Sequence, residues 1–196
     1  MNYPQGLRSR RSTQASKRQP VNYANRGMSL EEDINATNQY YLTMKKALVH
    51  KIPTPIQIVN IDYPKRSAAK ITEGYFRQKA TTDYNGVYRG KYIDFEAKET
   101  KNKTSFPLVN FHEHQIEHMR AVLEHDGICF VIIRFTMYNE TYLIPSEKII
   151  SHWDNMLKGG RKSIPFETIK KDGYKIPFTY NARVDYLSIV QRIYFE

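Results

Sequence analysis

The stretch T-T-D-Y-N-G-V-Y-R-G-K-Y-I-D-F-E-A-K-E, residues 81–99, sets two acids and a lysine at a spacing that suits phosphate-ester chemistry. Val, Tyr, Ile and Phe alternate with polar residues on either side of Arg89-Gly90, which predicts two short strands with a turn there. With Arg89 and Gly90 as the turn residues, Asp83 faces Glu96, Thr81 faces Lys98 and Asn85 faces Asp94. Side chains alternate faces along a strand, so all of these project from one side of the hairpin. Directly opposed Cβ atoms lie about 4.5–5.5 Å apart, and two carboxylates that close repel unless something positive sits between them. A divalent cation answers that need. Magnesium usually takes one or two carboxylates and keeps waters that meet phosphate oxygens. Such a metal lowers the pKa of water and neutralises charge on pentacoordinate phosphorus. Lys98, two residues beyond the second acid and on the same face, can orient that water or stabilise the developing charge. The layout is that of a phosphodiesterase, not of a peptidase.

A second register competes with this one. Asn85-Gly86 is by composition the better turn, because both residues tolerate positive φ. It would set Asp83 opposite Tyr88 and leave about 26 Å of extended strand between Asp83 and Glu96. Gly86 could also mark a bulge that shifts the pairing by one residue. The Arg89-Gly90 turn is preferred because it alone gives both acids a purpose.

Several elements must position this hairpin. Ser29-Leu30-Glu31-Glu32 reads as a capping box that starts a helix. Ile34, Tyr41, Leu42, Leu48 and Val49 follow at helical spacing, with Pro53 ending the run. Glu31 lies three residues before Ile34 and so starts the same inward stripe; it either complements the helix dipole or leans into the metal site. I-Q-I-V-N-I-D-Y, closed by Pro64, reads as a strand. The segment 65–80 then intervenes, with Lys65, Arg66, Lys70, Arg77 and Lys79 against one acid and with Tyr75 and Phe76 adjacent. Basic residues interleaved with aromatics suit phosphates and exposed base faces, and a plain surface helix with solvated lysines is the alternative. Lys101 and Lys103 add positive charge just past the hairpin. Residues 111–126 read as a helix stopped by Gly127, with Gln115 on its apolar face beside Met119 and Val122. An inward Gln needs a partner, which a metal or its water shell could supply. His112, His114 and His118 could suggest zinc, but without H-E-x-x-H or a cysteine pair a solvated helix face is the better reading. The rest reads as scaffold: a buried strand over 127–135 paired with 141–144, helices over 149–157 and 184–193, and a basic loop over 158–162.

The chain of 196 residues carries 30 Lys and Arg against 20 Asp and Glu, a formal charge of +10 that calls for a polyanionic partner. Hydrophobic residues make up 40%, enough for the core of one domain. Residues 1–27 hold Arg8, Arg10, Arg11, Lys17, Arg18 and Arg26 and no acid, with little apolar surface to offset ordering entropy. We read them as a disordered basic arm, either a solubilising tail or a grip on phosphates or a protein partner. Residues 28–196 form the folded domain. No apolar run is long enough to span a membrane and no export signal opens the chain. The single cysteine, Cys129, sits in the apolar run G-I-C-F-V-I-I and excludes a disulfide framework. A soluble, cytoplasmic, nucleoid-associated protein with no membrane partner is expected. No repeat or nucleotide-binding loop appears.

The acid and lysine pattern resembles that of the PD-(D/E)-x-K nuclease superfamily. More narrowly, the chain resembles the RecU-type Holliday junction resolvases. The resemblance runs through N-R-G-M-S-L-E-E-D, P-T-P-I-Q-I-V-N, P-K-R-S-A-A, T-T-D-Y-N-G, Y-I-D-F-E-A-K-E-T-K-N-K-T-S-F-P and H-Q-I-E-H-M, nearly the whole chain. Thr82, rather than proline, precedes Asp83. The resemblance implies an α/β fold, a restriction-endonuclease-like mixed sheet flanked by helices, with a stalk over about residues 63–80 reaching into the junction centre. It implies magnesium, with manganese able to substitute, held by Thr81, Asp83, Glu96 and Gln115, and Lys98 stabilising the transition state. The carry-over to a catalytic Glu31 is looser and rests on Gly27, four residues earlier. Symmetric cutting of two strands requires two sites related by a two-fold axis, hence a homodimer. Four-way and other branched DNA are the implied substrates, with the RecA recombinase and the branch-migration machinery as further partners. A sequence-specific restriction-like endonuclease and a non-catalytic DNA-annealing or recombinase-modulating protein are the alternatives.

Overall fold

The computed structural model describes residues 29–64, 68–77 and 81–196. In chain order the elements are α1 (Leu30–Thr43), β1 (Leu48–Lys51), β2 (Ile56–Asp62), β3 (Lys70–Phe76), β4 (Tyr84–Tyr88), β5 (Lys91–Thr100) and β6 (Ser105–Pro107). There follow α2 (Glu113–Glu124), β7 (Ile128–Phe135), β8 (Glu140–Pro145), α3 (Ser146–Leu157), β9 (Ser163–Pro165), α4 (Phe166–Asp172), β10 (Tyr174–Ile176) and α5 (Tyr186–Tyr194).

The six-stranded sheet runs β1-β4-β5-β7-β8-β10 and is mixed, since β5 and β7 are parallel while the other pairs are antiparallel. Parallel neighbours need a crossover, which α2 supplies. One face of the sheet, with Tyr84, Ile93, Phe95, Phe130 and Ile132, packs into a core with Ile34 and Tyr41 of α1 and Tyr186 and Val190 of α5. The other face, with Cys129, Val131 and Ile133, joins Ile116 and Met119 of α2 and Ile149 of α3. Covered on both sides, β7 is buried at every position.

Arg89 and Gly90 both take positive φ, 50° and 78°, as a two-residue turn between twisted strands requires. Asn85 stands opposite Asp94 and Tyr84 opposite Phe95, so the preferred register is the one formed. Gly86 is neither turn nor bulge. It lies inside β4 where β1 crosses closely: a Cβ there would come within 2.1 Å of the Leu48 carbonyl oxygen.

Two sequence expectations are corrected. The first helix stops at Thr43; Lys45 takes φ 55°, and Leu48 and Val49 belong to β1 rather than to the helix. The residues after Pro55 form a strand, but it does not join the main sheet. Strand β2 pairs with β3 in a separate two-stranded sheet, so the projecting hairpin begins before residue 56 rather than near 63, and β3 replaces the surface helix considered for 65–80. This hairpin is exposed at nearly every position. It is inserted between β1 and β4, whose junctions are tied by the Ile52 N–H donating to the Asp83 carbonyl at 2.8 Å. The basic arm, with Arg8, Arg10 and Arg11, and also Lys65, Arg66 and Lys79, lie outside the described residues.

Candidate active site

Glu96 is the centre of the site. It sits in the middle of β5 with only 1% of its surface exposed. Its Oε1 accepts from Lys98 Nζ at 2.7 Å and from Gln115 Nε2 at 2.7 Å. The Asp83 carboxyl lies within hydrogen-bonding reach across the hairpin. Two carboxylates can share a bond only through a proton. With both ionised, Glu96 Oε2 is buried without a donor. Burial first, and then the Asp83 charge, push the Glu96 carboxyl up to about 7 against the pull of Lys98. A buried carboxyl with one orphaned oxygen and a second carboxylate within reach is what a divalent cation satisfies, so these residues fit one. Among the described residues no group of three His, Cys, Asp or Glu is arranged to hold an ion. The fit therefore rests on the two acids, with the remaining oxygens coming from neutral groups, water and phosphate.

Strand alternation brings Lys98 to the same face as Glu96, and its stem runs beside the Phe111 ring, 5.8 Å from Nζ to the centroid. Gln115 reaches the site because α2 turns its apolar stripe inward: Gln115, Ile116, Met119 and Val122 are its buried residues. Its carbonyl oxygen accepts from the His112 N–H at 3.1 Å, which fixes the amide with its NH2 toward Glu96. Thr81 is half-buried, and its hydroxyl donates to the neighbouring Thr82 carbonyl at 3.4 Å.

Glu31 does not lie on the inward stripe of α1. That stripe runs through Leu30, Asp33, Ile34, Thr37, Asn38 and Tyr41, which keeps Ile34 and Tyr41 inward as expected, and Glu31 is exposed beside it. It pairs with Lys51, and it shares with Asp83 and Tyr84 the lining of a cavity of about 350 Å³. Charges on Glu31, Asp83 and Glu96 all act on the buried Tyr84 hydroxyl and, after burial itself, raise its pKa.

Sequence reasoning missed a second buried carboxylate. Asp94 is completely buried beside Glu96 and accepts from the Thr82 hydroxyl, from Tyr92 Oη at 2.9 Å and from His118 Nε2 at 3.1 Å. His118 is therefore not on a solvated face, and its hydrogen bond to Asp94 raises its pKa. His118 is one turn past Gln115, a spacing that could have signalled the same inward face. Also missed was the clasp that seats α1. Asp33 is gripped by Arg134 at 2.8 Å and Arg183 at 3.1 Å, while Glu99 accepts from the Leu30 N–H at 2.8 Å.

The basic residues are placed around this centre. Lys101 and Lys103 are exposed in the loop after β5. Lys70, Tyr75 and Phe76 lie on β3, and Arg77, just beyond it, donates through Nε to Gln57 at 2.9 Å.

The RecU family model, described as recombination protein U, matches residues 25–192. A Holliday junction resolvase RecU of Geobacillus kaustophilus is 59% identical over 196 residues, covering 100% of this chain and 98% of the relative. One of Oceanobacillus iheyensis is 57% identical over 196 residues, covering 100% of both. Among solved structures, Hjc, a Holliday junction resolvase of the archaeal hyperthermophile Archaeoglobus fulgidus, aligns with a TM-score of 0.41 at 9% identity, over 72% of this chain and 93% of that one.

Proposed function

The chain belongs to the RecU family, and on that premise we propose that it is a Holliday junction resolvase, hydrolysing phosphodiester bonds in four-way DNA with a divalent cation. The observation that carries the reading is the buried Glu96 carboxyl, with Oε2 orphaned, Asp83 within reach and the Lys98 ammonium bound to Oε1. Asp83 and Glu96 hold the cation, magnesium in the cell with manganese able to replace it, and Thr81 and Gln115 are the candidate neutral donors. Bound there, the cation supplies an activated water and charge neutralisation at phosphorus. Gln115 orients Glu96 through its amide, and the Lys98 ammonium meets charge growing on the phosphoryl oxygens. Glu31, paired with Lys51 and lining the cavity beside Asp83, is the further candidate catalytic acid.

The basic residues grip phosphates: Lys65, Arg66, Lys70, Arg77 and Lys79 in the segment 65–80, Lys101 and Lys103 in the loop after β5, and Arg8, Arg10 and Arg11 in the arm. Paired nicks across the junction need two copies of this site, so the working form is a homodimer. Modulation of the RecA recombinase, and contact with the branch-migration machinery, fall to the arm and hairpin rather than to the acids.

The test is cleavage of a mobile four-way junction against a linear duplex of the same sequence, with and without magnesium. Cleavage confined to the junction and dependent on the metal supports the reading. Equal cleavage of the duplex makes the chain a restriction-like endonuclease, and binding without cleavage makes it a DNA-annealing or recombinase-modulating protein.

A further inference from the structure

The proposed chemistry uses Asp83, Glu96 and Lys98, yet an equally buried carboxylate, Asp94, stands two residues before Glu96 and has no place in it. Burying a carboxylate completely is costly unless its oxygens are satisfied. Asp94 is satisfied by donors from different parts of the chain. Thr82 comes from the segment leading into β4, Tyr92 from β5 itself and His118 from α2. Of these, Thr82 is covalently next to Asp83 and is itself fully buried.

The segment that carries Asp83 lies outside regular secondary structure. Regular pairing with β5 begins only at Tyr84, opposite Phe95. On the N-terminal side the chain returns from the projecting hairpin, and residues 81–83 belong to no helix or strand. The backbone is held on one side by the Ile52 N–H at the Asp83 carbonyl. That bond fixes the carbonyl. The Thr82 hydroxyl on Asp94 fastens the same segment at the residue next to the Asp83 side chain.

We propose that Thr82 is a positioning residue for the cation site: its hydroxyl, fastened to the buried Asp94, fixes Asp83 against Glu96. At its other oxygen, Oδ2, Asp94 is held by both His118 and Tyr92, so the anchor stays in place when the Tyr92 hydroxyl alone is removed. Glu96 and Asp94 project from the same strand to the same face, two residues apart, so the anchor and the second acid move as one body. The distance between the two acids is then set by a short relay, from Asp83 through Thr82 and Asp94 to Glu96. This inference rests on the reading that Asp83 and Glu96 hold a divalent cation.

The experiment is a titration of the DNA-free full chain with Mn2+, following the free ion by electron paramagnetic resonance. The wild type, Asp83→Ala, Thr82→Val, Thr82→Ser and Tyr92→Phe are compared, with thermal unfolding of each. Thr82→Val keeps the shape and removes the hydroxyl; Thr82→Ser keeps the hydroxyl. Tyr92→Phe removes a different donor from the same carboxylate without touching the Asp83 segment. The expected result is a Mn2+ dissociation constant raised about tenfold or more in Thr82→Val, with Thr82→Ser and Tyr92→Phe within about twofold of wild type. Should Thr82→Val fail to fold, Thr82→Cys, a poor donor of similar shape, carries the same comparison. Wild-type affinity in the variant lacking the hydroxyl overturns the inference while leaving the cation site standing. An equal loss in Tyr92→Phe also overturns it, because Asp94 would then matter only to folding. If Asp83→Ala binds Mn2+ as the wild type does, the cation reading itself falls, and the inference with it.

Discussion

At the scale of single residues, the proposed chemistry comes down to one carboxylate that protein donors leave half-satisfied. Lys98 and Gln115 both serve Glu96 Oε1, and Oε2 is buried without a hydrogen-bond partner while Asp83 acts on the same carboxyl. Removing the ammonium with Lys98→Ala should lower junction cleavage by about 10²–10³-fold, the usual cost of a lost charge-stabilising group, while junction binding in calcium holds. A loss of binding equal to the loss of rate would contradict that role. Glu96 also predicts a pH dependence of stability in the metal-free protein. Its carboxyl is raised from 4.5 to about 7, so between those values the folded chain holds a proton that the unfolded chain releases. The contribution is complete below 4.5 and disappears as pH rises through about 7. Unfolding free energy measured against Glu96→Gln should thus fall across that window, and added magnesium should raise the melting temperature more at about pH 8 than at about pH 5.5. A magnesium effect independent of pH would dissociate Glu96 from the cation. The acids, Lys98 and Gln115 were legible in the sequence because strand and helix periods fix which side chains share a face. Asp94 and His118 were not, because an Asp on a strand and a His on a helix look alike whether they are buried together or solvated apart.

At the scale of elements, the hairpin shows why one glycine was easy to read and the other misleading. Gly90 takes φ 78° at the turn, and no atom lies within 4 Å of where a methyl group would sit, so Gly90→Ala meets only backbone strain, about 1–2 kcal/mol. Gly86 looks like a turn residue beside Asn85, yet it is there because β1 passes over it. A Cβ would stand 2.1 Å from the Leu48 carbonyl oxygen and 2.7 Å from Val49 Cα, so β1 must move. Gly86→Ala should cost about 4 kcal/mol or more, placing it among the exceptional substitutions. Because β1 leads to Ile52, which holds the Asp83 backbone, the same change should weaken cation binding, whereas Gly90→Ala should not. Denaturant unfolding of the two variants, with a Mn2+ titration of each, separates these expectations, and equal losses would refute them. The sequence could not announce this crossing, since it depends on which strand lies beside β4. For the same reason β2 could be recognised as a strand but not assigned to the hairpin: local pattern fixes a strand's faces and says nothing of its neighbour. The end of α1 was hidden similarly, because Leu48 and Val49 fall in phase with the helix while Lys45 has already turned the chain out of it.

At the scale of the whole molecule, the proposed function makes the hairpin and the acids two ends of one device. The chain leaves the main sheet after Lys51 and travels out along the seven residues of β2, about 23 Å of extended strand, and β3, which pairs with β2, precedes Asp83 in the chain. An isolated two-stranded sheet is marginal in water, and this one exposes Ile56, Ile58, Val59, Ile71, Tyr75 and Phe76. Such a surface suits the unstacked centre of a four-way junction better than the outside of a duplex. Tyr75 and Phe76 are neighbours on β3, so their rings point to opposite faces and do different work. Tyr75 Oη is tied to Glu73 at 2.8 Å, while Phe76 is 81% exposed. The freer ring is the stronger candidate to stack on a base at the crossover. Phe76→Ala should lower junction cleavage about tenfold, the equivalent of one lost base–aromatic stack, and Tyr75→Ala should lower it less. Duplex binding depends on the lysines and arginines instead, and should be unchanged in both variants, with the same steep decline as salt is raised. Junction cleavage unaffected in the double variant would remove the hairpin from junction recognition and leave selectivity to the geometry of paired active sites.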